Sequence, residues 1–186
     1  ASPVWRAYAC MLASCHIGLF TFISTSPFVL RNIYGLNPLQ FGIGLSICSI
    51  AFVAGAAMSS RIVSRKGLDA MIGIGVFCEA LAGGLQAIGQ IIAPTHVAAL
   101  FGPEILFFFG VGFVLPNAVA AALSPFPERA GAASSLAGFV QMLFSAVIGL
   151  VVVSMISQTA WPLVSVTFVV GISGLTVFVG TLSLIH

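Results

Sequence analysis

The feature that most constrains this chain is a set of six apolar runs, each 20 residues or longer and nearly free of charge. A helix needs about 20 mostly apolar residues to cross the hydrocarbon core of a bilayer. The runs are Tyr8 to Leu30, Pro38 to Ser60, Asp69 to Gln90, Val97 to Leu123, Ala130 to Ser157 and Pro162 to Leu184. In lipid, backbone groups can be satisfied only within helices or around a closed barrel. A barrel would show segments of about 10 residues alternating apolar and polar, so these continuous runs predict helices. The expected fold is all-α and integral to the membrane: one domain over residues 1–186, a six-transmembrane-helix bundle.

Composition excludes the soluble alternatives. The chain has 186 residues, 60% hydrophobic and 5% charged, where a soluble domain carries roughly 25% charged residues. The expected surroundings are therefore the lipid bilayer. Six basic residues and a net charge of +2 do not make a nucleic-acid surface, so no nucleic-acid partner is expected. A cleaved signal peptide does not account for apolar runs that recur along the whole chain. Cys10, Cys15, Cys48 and Cys78 lie within apolar runs without a CxxC pair, which predicts small apolar fillers rather than a metal or redox site. No HExxH, GxSxG or paired catalytic aspartate is present, so neither an enzyme nor a cofactor or metal is expected. The chain starts at Ala1 and stops at His186 directly after an apolar run, which leads us to expect missing flanks.

Turn chemistry separates the runs. Trp5 and Arg6 suit an interfacial anchor before the first, Pro38 suits a first helical turn, and Asp69 suits a helix N-terminus. Trp161 stands where an indole prefers the headgroup zone. The hinge Ser124-Pro-Phe-Pro-Glu-Arg129 separates the fourth run from the fifth and holds the only charges after Glu104. With alternating spans, Arg6, Arg61, Arg65, Lys66 and Arg129 fall on one side and Arg31 alone on the other. The positive-inside rule then places both termini in the cytoplasm. Pro27 and Pro116 each stand twentieth in the first and fourth runs, which hints at two sets of three spans. With an odd number per set, the second would be inverted, as in secondary transporters.

Polar residues inside the runs are the candidate functional groups, because a charge at the bilayer centre costs at least about 2.5 kcal/mol. Glu79 lies in the middle of the third run and reads either as a proton carrier or as a structural acid joining helices. His16, near the middle of the first, could reach it. Glu104 either faces a cavity that accepts a cationic substrate or pairs with Arg31. Asn117 and Gln141 read as interhelical hydrogen bonds or as substrate contacts, and Gln86 lies nearer the outer face. Ala51, Gly55 and Ser59 form a small-residue stripe, as do Ser134 and Gly138, and such stripes let helices approach closely. Phe107, Phe108 and Phe109 point about 100° apart and cannot all line one cavity.

Two stretches then carry a resemblance. Ser26-Pro-Phe-Val-Leu-Arg-Asn-Ile-Tyr-Gly-Leu-Asn-Pro-Leu-Gln-Phe-Gly42 resembles the end of the seventh helix and following loop of the Bcr/CflA drug-resistance transporters, in the major facilitator superfamily. Leu115-Pro-Asn-Ala118, Pro125-Phe-Pro-Glu-Arg-Ala-Gly131, Ala133-Ser-Ser-Leu-Ala-Gly138 and Gln141 resemble its tenth helix, loop and eleventh helix. The resemblance covers essentially the whole chain but only the C-terminal half of a twelve-helix architecture. It implies half of a major-facilitator fold built of two inverted three-helix repeats, in a bacterial inner membrane.

It further implies proton-coupled efflux of a small-molecule drug by alternating access. The first and fourth spans would face the cavity, the second and fifth the other half, and the third and sixth would lie outside. His16, Glu104, Asn117 and Gln141 become substrate or cavity candidates, and Glu79 a possible proton or structural acid on a peripheral helix. Residues 55–67 look like a degenerate form of the superfamily's cytoplasmic loop motif, without its acid. The implied partner is the missing N-terminal half, or a second copy in a homodimer. The alternative is a non-transporting structural or assembly protein, or an inactive piece of a transporter.

Overall fold

The computed structural model describes residues 3–123, 130–155 and 159–185, with side chains described between Tyr8 and Gly180 except at 123, 130, 132, 133, 136, 137 and 140. The hinge at 124–129 lies outside the described residues. Among the described residues the helical stretches are α1 (Pro3–Asn32), α2 (Pro38–Ile92), α3 (Ala98–Leu123), α4 (Ala130–Met155) and α5 (Trp161–Ile185). Four of them, α1, α2, α3 and α5, are long and apolar enough to cross a membrane over their described residues.

The second helix starts as local chemistry dictates. Asn37 is its N-cap, accepting from the Gln40 amide at 2.9 Å, while the Gln40 side chain accepts from the Asn37 amide at 3.0 Å. This capping box satisfies two end-of-helix donors, and Pro38 fills the first turn, where its missing N–H costs nothing. At 55 residues a straight α2 would be about 80 Å long, far beyond the roughly 30 Å hydrocarbon core. It is broken at Gly67, which adopts φ 80° and ψ 170°. Only glycine takes that conformation without a Cβ clash. The expected second and third runs are thus separate helical limbs, 38–66 and 68–92, that meet directly at Gly67, because nothing between Arg61 and Lys66 stops helical hydrogen bonding before Gly67.

The two limbs run in opposite directions, and α3 shows it. Along the first limb, Gly44 packs on Phe101, Gly55 on the Phe109 carbonyl, and Ser59 hydrogen-bonds Asn117, so both numberings rise together. Along the second, Gly75 meets Gly110 and Val114, Gln86 meets Leu100, and Gly89 meets Ala99, so one rises as the other falls. The same reading makes α5 antiparallel to the second limb, through Gly73 on Phe178 and Gly83 on Phe168. α1 is antiparallel to both α3 and α5, through Gly18 on Phe107 and Val170 and Ser173 on Ser14.

The contacts form a simple plan. α3 carries both limbs of α2, α1 carries α4 and α5, the second limb also touches α5, and α1 also touches α3. Glycines permit the closest approaches: a methyl group on Gly75 would lie 2.7 Å from the Gly110 carbonyl, and one on Gly83 would lie 2.8 Å from Phe168 Cα. Lipid is as apolar as leucine, so helices here gain from dispersion contacts and hydrogen bonds rather than from hiding apolar surface. Phe22 illustrates this, meeting Phe108 and Phe101 edge-on with ring centroids 5.8 and 6.0 Å apart. Phe107 and Phe108 are buried in the bundle.

The two small-residue stripes differ. Ala51, Gly55 and Ser59 are buried, and Cys48 extends the row. Ser134 is exposed and bonds back to the Gly131 carbonyl at 3.0 Å, with Gly138 half-buried. The second stripe therefore does not seat α4 on the rest of the bundle.

Candidate functional site

Three of the buried polar groups share one helix face. Glu79, Gln86 and Gln90 lie within about 40° of arc on the second limb of α2, and all three are buried. Asp69 begins the same limb, about 32 Å from Gln90 along the helix. Each takes a partner from a different place. The Tyr8 hydroxyl donates to the Asp69 carboxylate. Cys15 is the polar neighbour of Glu79, whose Oε1 is covered and has no hydrogen-bond partner. The Gln86 amide donates to Glu104 Oε2 at 2.9 Å and to the Leu100 carbonyl at 3.1 Å, and that of Gln90 donates to the Tyr34 hydroxyl at 2.8 Å. These side chains bridge the second limb to α1 and α3.

Glu79 occupies a niche that glycines create. A Cβ on Gly110 would lie 3.1 Å from Glu79 Cγ, and one on Gly174 would lie 3.9 Å from its Oε2. Glu79 is 1% exposed and Glu104 is fully buried. The described cations, Arg31, Arg61, Arg65 and Lys66, are all exposed. A buried ion without a counter-ion is costly, and in both places a neutral hydrogen-bonding group stands where a cation would otherwise be required.

The expected site residues thus divide. Glu104 meets Gln86, with Arg31 exposed at the helix end. Glu79 meets Cys15, the neighbour of His16. Asn117 donates to Ser59 Oγ and to the Phe113 carbonyl, both at 2.6 Å. His16 is half-buried, its Nε2 covered and without a partner, on the side of α1 that leads to exposed Ile23 and Pro27. Gln141 is half-buried on α4. The structure therefore joins Glu104 to Gln86 and Asn117 to Ser59, and leaves His16 and Gln141 on more open faces. Sequence reasoning missed Cys15, Gln86 and Ser59 as partners. The spacing of 79, 86 and 90 on one face was the available signal.

Surface recesses lie elsewhere. One of about 490 Å³ is bounded by Pro27, Arg31, Leu36 and Phe41, and another of about 330 Å³ by Tyr34, Gln40, Thr95 and His96. Both open at the end that carries Arg31.

Apolar helices with polar groups turned inward define a multi-pass membrane protein. Comparison with known proteins then gives the class. The chain is 31% identical over 147 residues to the "Bicyclomycin resistance protein homolog" of Haemophilus influenzae, a match covering 78% of this chain and 36% of that protein. It is 31% identical over 144 residues to "Multidrug resistance protein D" of Escherichia coli, covering 77% and 36%. It is 28% identical over 179 residues to the "Uncharacterized MFS-type transporter YdgK" of Bacillus subtilis, covering 95% and 43%. No family model and no solved structure matches it. The chain is a relative of the MFS-type drug-resistance transporters and a multi-pass inner-membrane protein. It spans less than half the length of these relatives.

Proposed function

We propose that this chain is one half of a facilitator-type exporter that moves small drugs out of the cell in exchange for protons. The observation that carries this reading is the likeness over more than three quarters of the chain to proteins named for drug and bicyclomycin resistance. The helix packing supports the half-transporter architecture. Counting the limbs of α2 separately gives six segments, and the directions of the first four and the sixth are those that strict alternation requires. Exchanging the first three with the last three preserves the contact plan: the second lies on the fourth as the fifth lies on the first, and the third on the fourth as the sixth on the first. Two inverted three-helix repeats have this symmetry.

The faces left open fit the same reading. The first limb and α4 present rows of exposed apolar residues, including Ile43, Ile50, Val53, Phe139, Leu143 and Leu150. A second half, supplied by other sequence or by a second copy, would lie against them and close a drug cavity that reaches His16 and Gln141. Asn117 and Glu104 would support that wall from behind. Exposed Arg61, Arg65 and Lys66 at the Gly67 break favour a cytoplasmic position for that end, and cytoplasmic termini go with that orientation in a bundle of six alternating spans.

Efflux tests the reading. In everted vesicles from exporter-deficient cells, proton-driven uptake of chloramphenicol or a cationic dye is expected when the chain is supplied with the other half of a relative, and not from a monomer alone. No uptake in either arrangement, with both proteins in the membrane, would remove the transport reading.

A further inference from the structure

We propose that Glu104 and Gln86 form a proton-binding site built into the interface between the second limb of α2 and α3, separate from the drug-facing wall. The site is closed: Glu104 and Gln86 are each 0% exposed. The amide of Gln86 reaches Glu104 Oε2 at 2.9 Å. Two oxygens in the same pocket, Glu104 Oε1 and Gln86 Oε1, are covered and have no hydrogen-bond partner. Two buried acceptors beside one amide donor leave the site one donor short. A proton on the carboxyl supplies that donor and removes the cost of an ionised carboxylate in an apolar interior.

The surroundings favour a proton over any other ligand. The first limb contributes the Cys48 thiol to the neighbourhood of Glu104. The second contributes the neutral Gln86. α1 contributes the ring of Phe22, set edge-on to Phe101 and Phe108 one turn to either side of Glu104. Arg31 is exposed and Glu79 lies about 10 Å further along the second limb. No described cation neutralises the acid, and the flanking rings leave a bulky organic cation no entry. Glutamine is the side chain suited to a titrating partner, because its amide offers N–H groups to a carboxylate and a carbonyl to a carboxylic acid. The pair can thus hold the two helices together with the proton bound or released, which a Glu–Arg pair could not do.

The site names a proton carrier for the exchange proposed above, but its test needs no transport, so the two can fail separately. The measurement is infrared spectroscopy of the purified full chain in sodium-free lipid nanodiscs at neutral pH, reading the carbonyl band of protonated carboxyl groups. Subtracting the Glu104→Gln spectrum from the parent spectrum is expected to leave one such band, and Gln86→Leu is expected to shift that band through loss of its hydrogen bond. Glu79→Gln, as a control, should leave the Glu104 band in place. A parent spectrum unchanged by Glu104→Gln overturns the proposal, as does a Glu104 band that sodium abolishes at fixed pH, which would make this a metal-cation site. Should Glu104→Gln fail to fold, the Gln86→Leu shift decides alone: a protonated-carboxyl band that does not move overturns the assignment.

Discussion

The two limbs of α2 meet at Gly67 and lie on one neighbour, yet they join it by different physics. The first limb meets α3 mainly through small residues, Cys48, Ala51, Gly55 and Ser59, with the backbones nearly touching. Its outer face carries Leu39, Ile43, Ile50 and Val53, and the exposed serines Ser46 and Ser49 bond back to the helix's own carbonyls. The second limb also uses glycines, but it adds Glu79, Gln86 and Gln90 to its inner face. Lipid gives no hydrophobic reward for joining helices, so each contact needs another source of specificity. Close backbone packing serves the first limb, with the Ser59–Asn117 hydrogen bond added at its end. Buried hydrogen bonds serve the second, and they are the ones able to respond to protons.

The comparison can be broken most severely at Gly55. A leucine there would drive into the Phe109 carbonyl and force the first limb off α3, so Gly55→Leu should cost about 3 kcal/mol or prevent assembly. Reversible unfolding in mixed micelles measures this, and wild-type stability would contradict the close approach. Asn117→Ala should come next, near 2 kcal/mol, because it removes two buried hydrogen bonds and strands Ser59. A double-mutant cycle with Ser59→Ala sharpens the point: coupling of about 0.6 kcal/mol or more is expected, and none would mean the polar contact is idle.

Smaller effects separate the junction from the limbs. Gly67→Ala should cost on the order of 1 kcal/mol or somewhat more, because φ 80° and ψ 170° lie in a backbone region open essentially to glycine alone, with helix content unchanged by circular dichroism. The outward residues should matter least. Ile50→Ala on the first limb and Phe77→Ala on the second should each stay within about 0.5 kcal/mol for the chain alone in lipid. A larger loss at Ile50 only when a second half is present would locate the partner on the first limb.

Much of the helix plan was legible in the residues, because lipid demands about 20 apolar residues per crossing and Asn37, Pro38 and Gln40 announce a helix start. The break at Gly67 was harder to read, since 61–66 is polar yet continues the helix. The stripe at Ala51, Gly55 and Ser59 was visible and is buried. The stripe at Ser134 and Gly138 looked the same in sequence and faces outward. Nothing in a four-residue spacing says which neighbour, if any, will cover it.

The division at the candidate site has the same cause. Sequence alone determined that Glu79, Glu104 and Asn117 must lie in apolar runs and need partners there, because an unpaired polar group in lipid is too costly to leave. It determined the class of protein for the same reason. Only the tertiary structure decided the partners, giving Cys15 to Glu79, Gln86 to Glu104 and Ser59 to Asn117. Those pairings join residues 18 to 64 positions apart. They depend on which helix faces which and in what direction, and one-dimensional spacing does not carry that information.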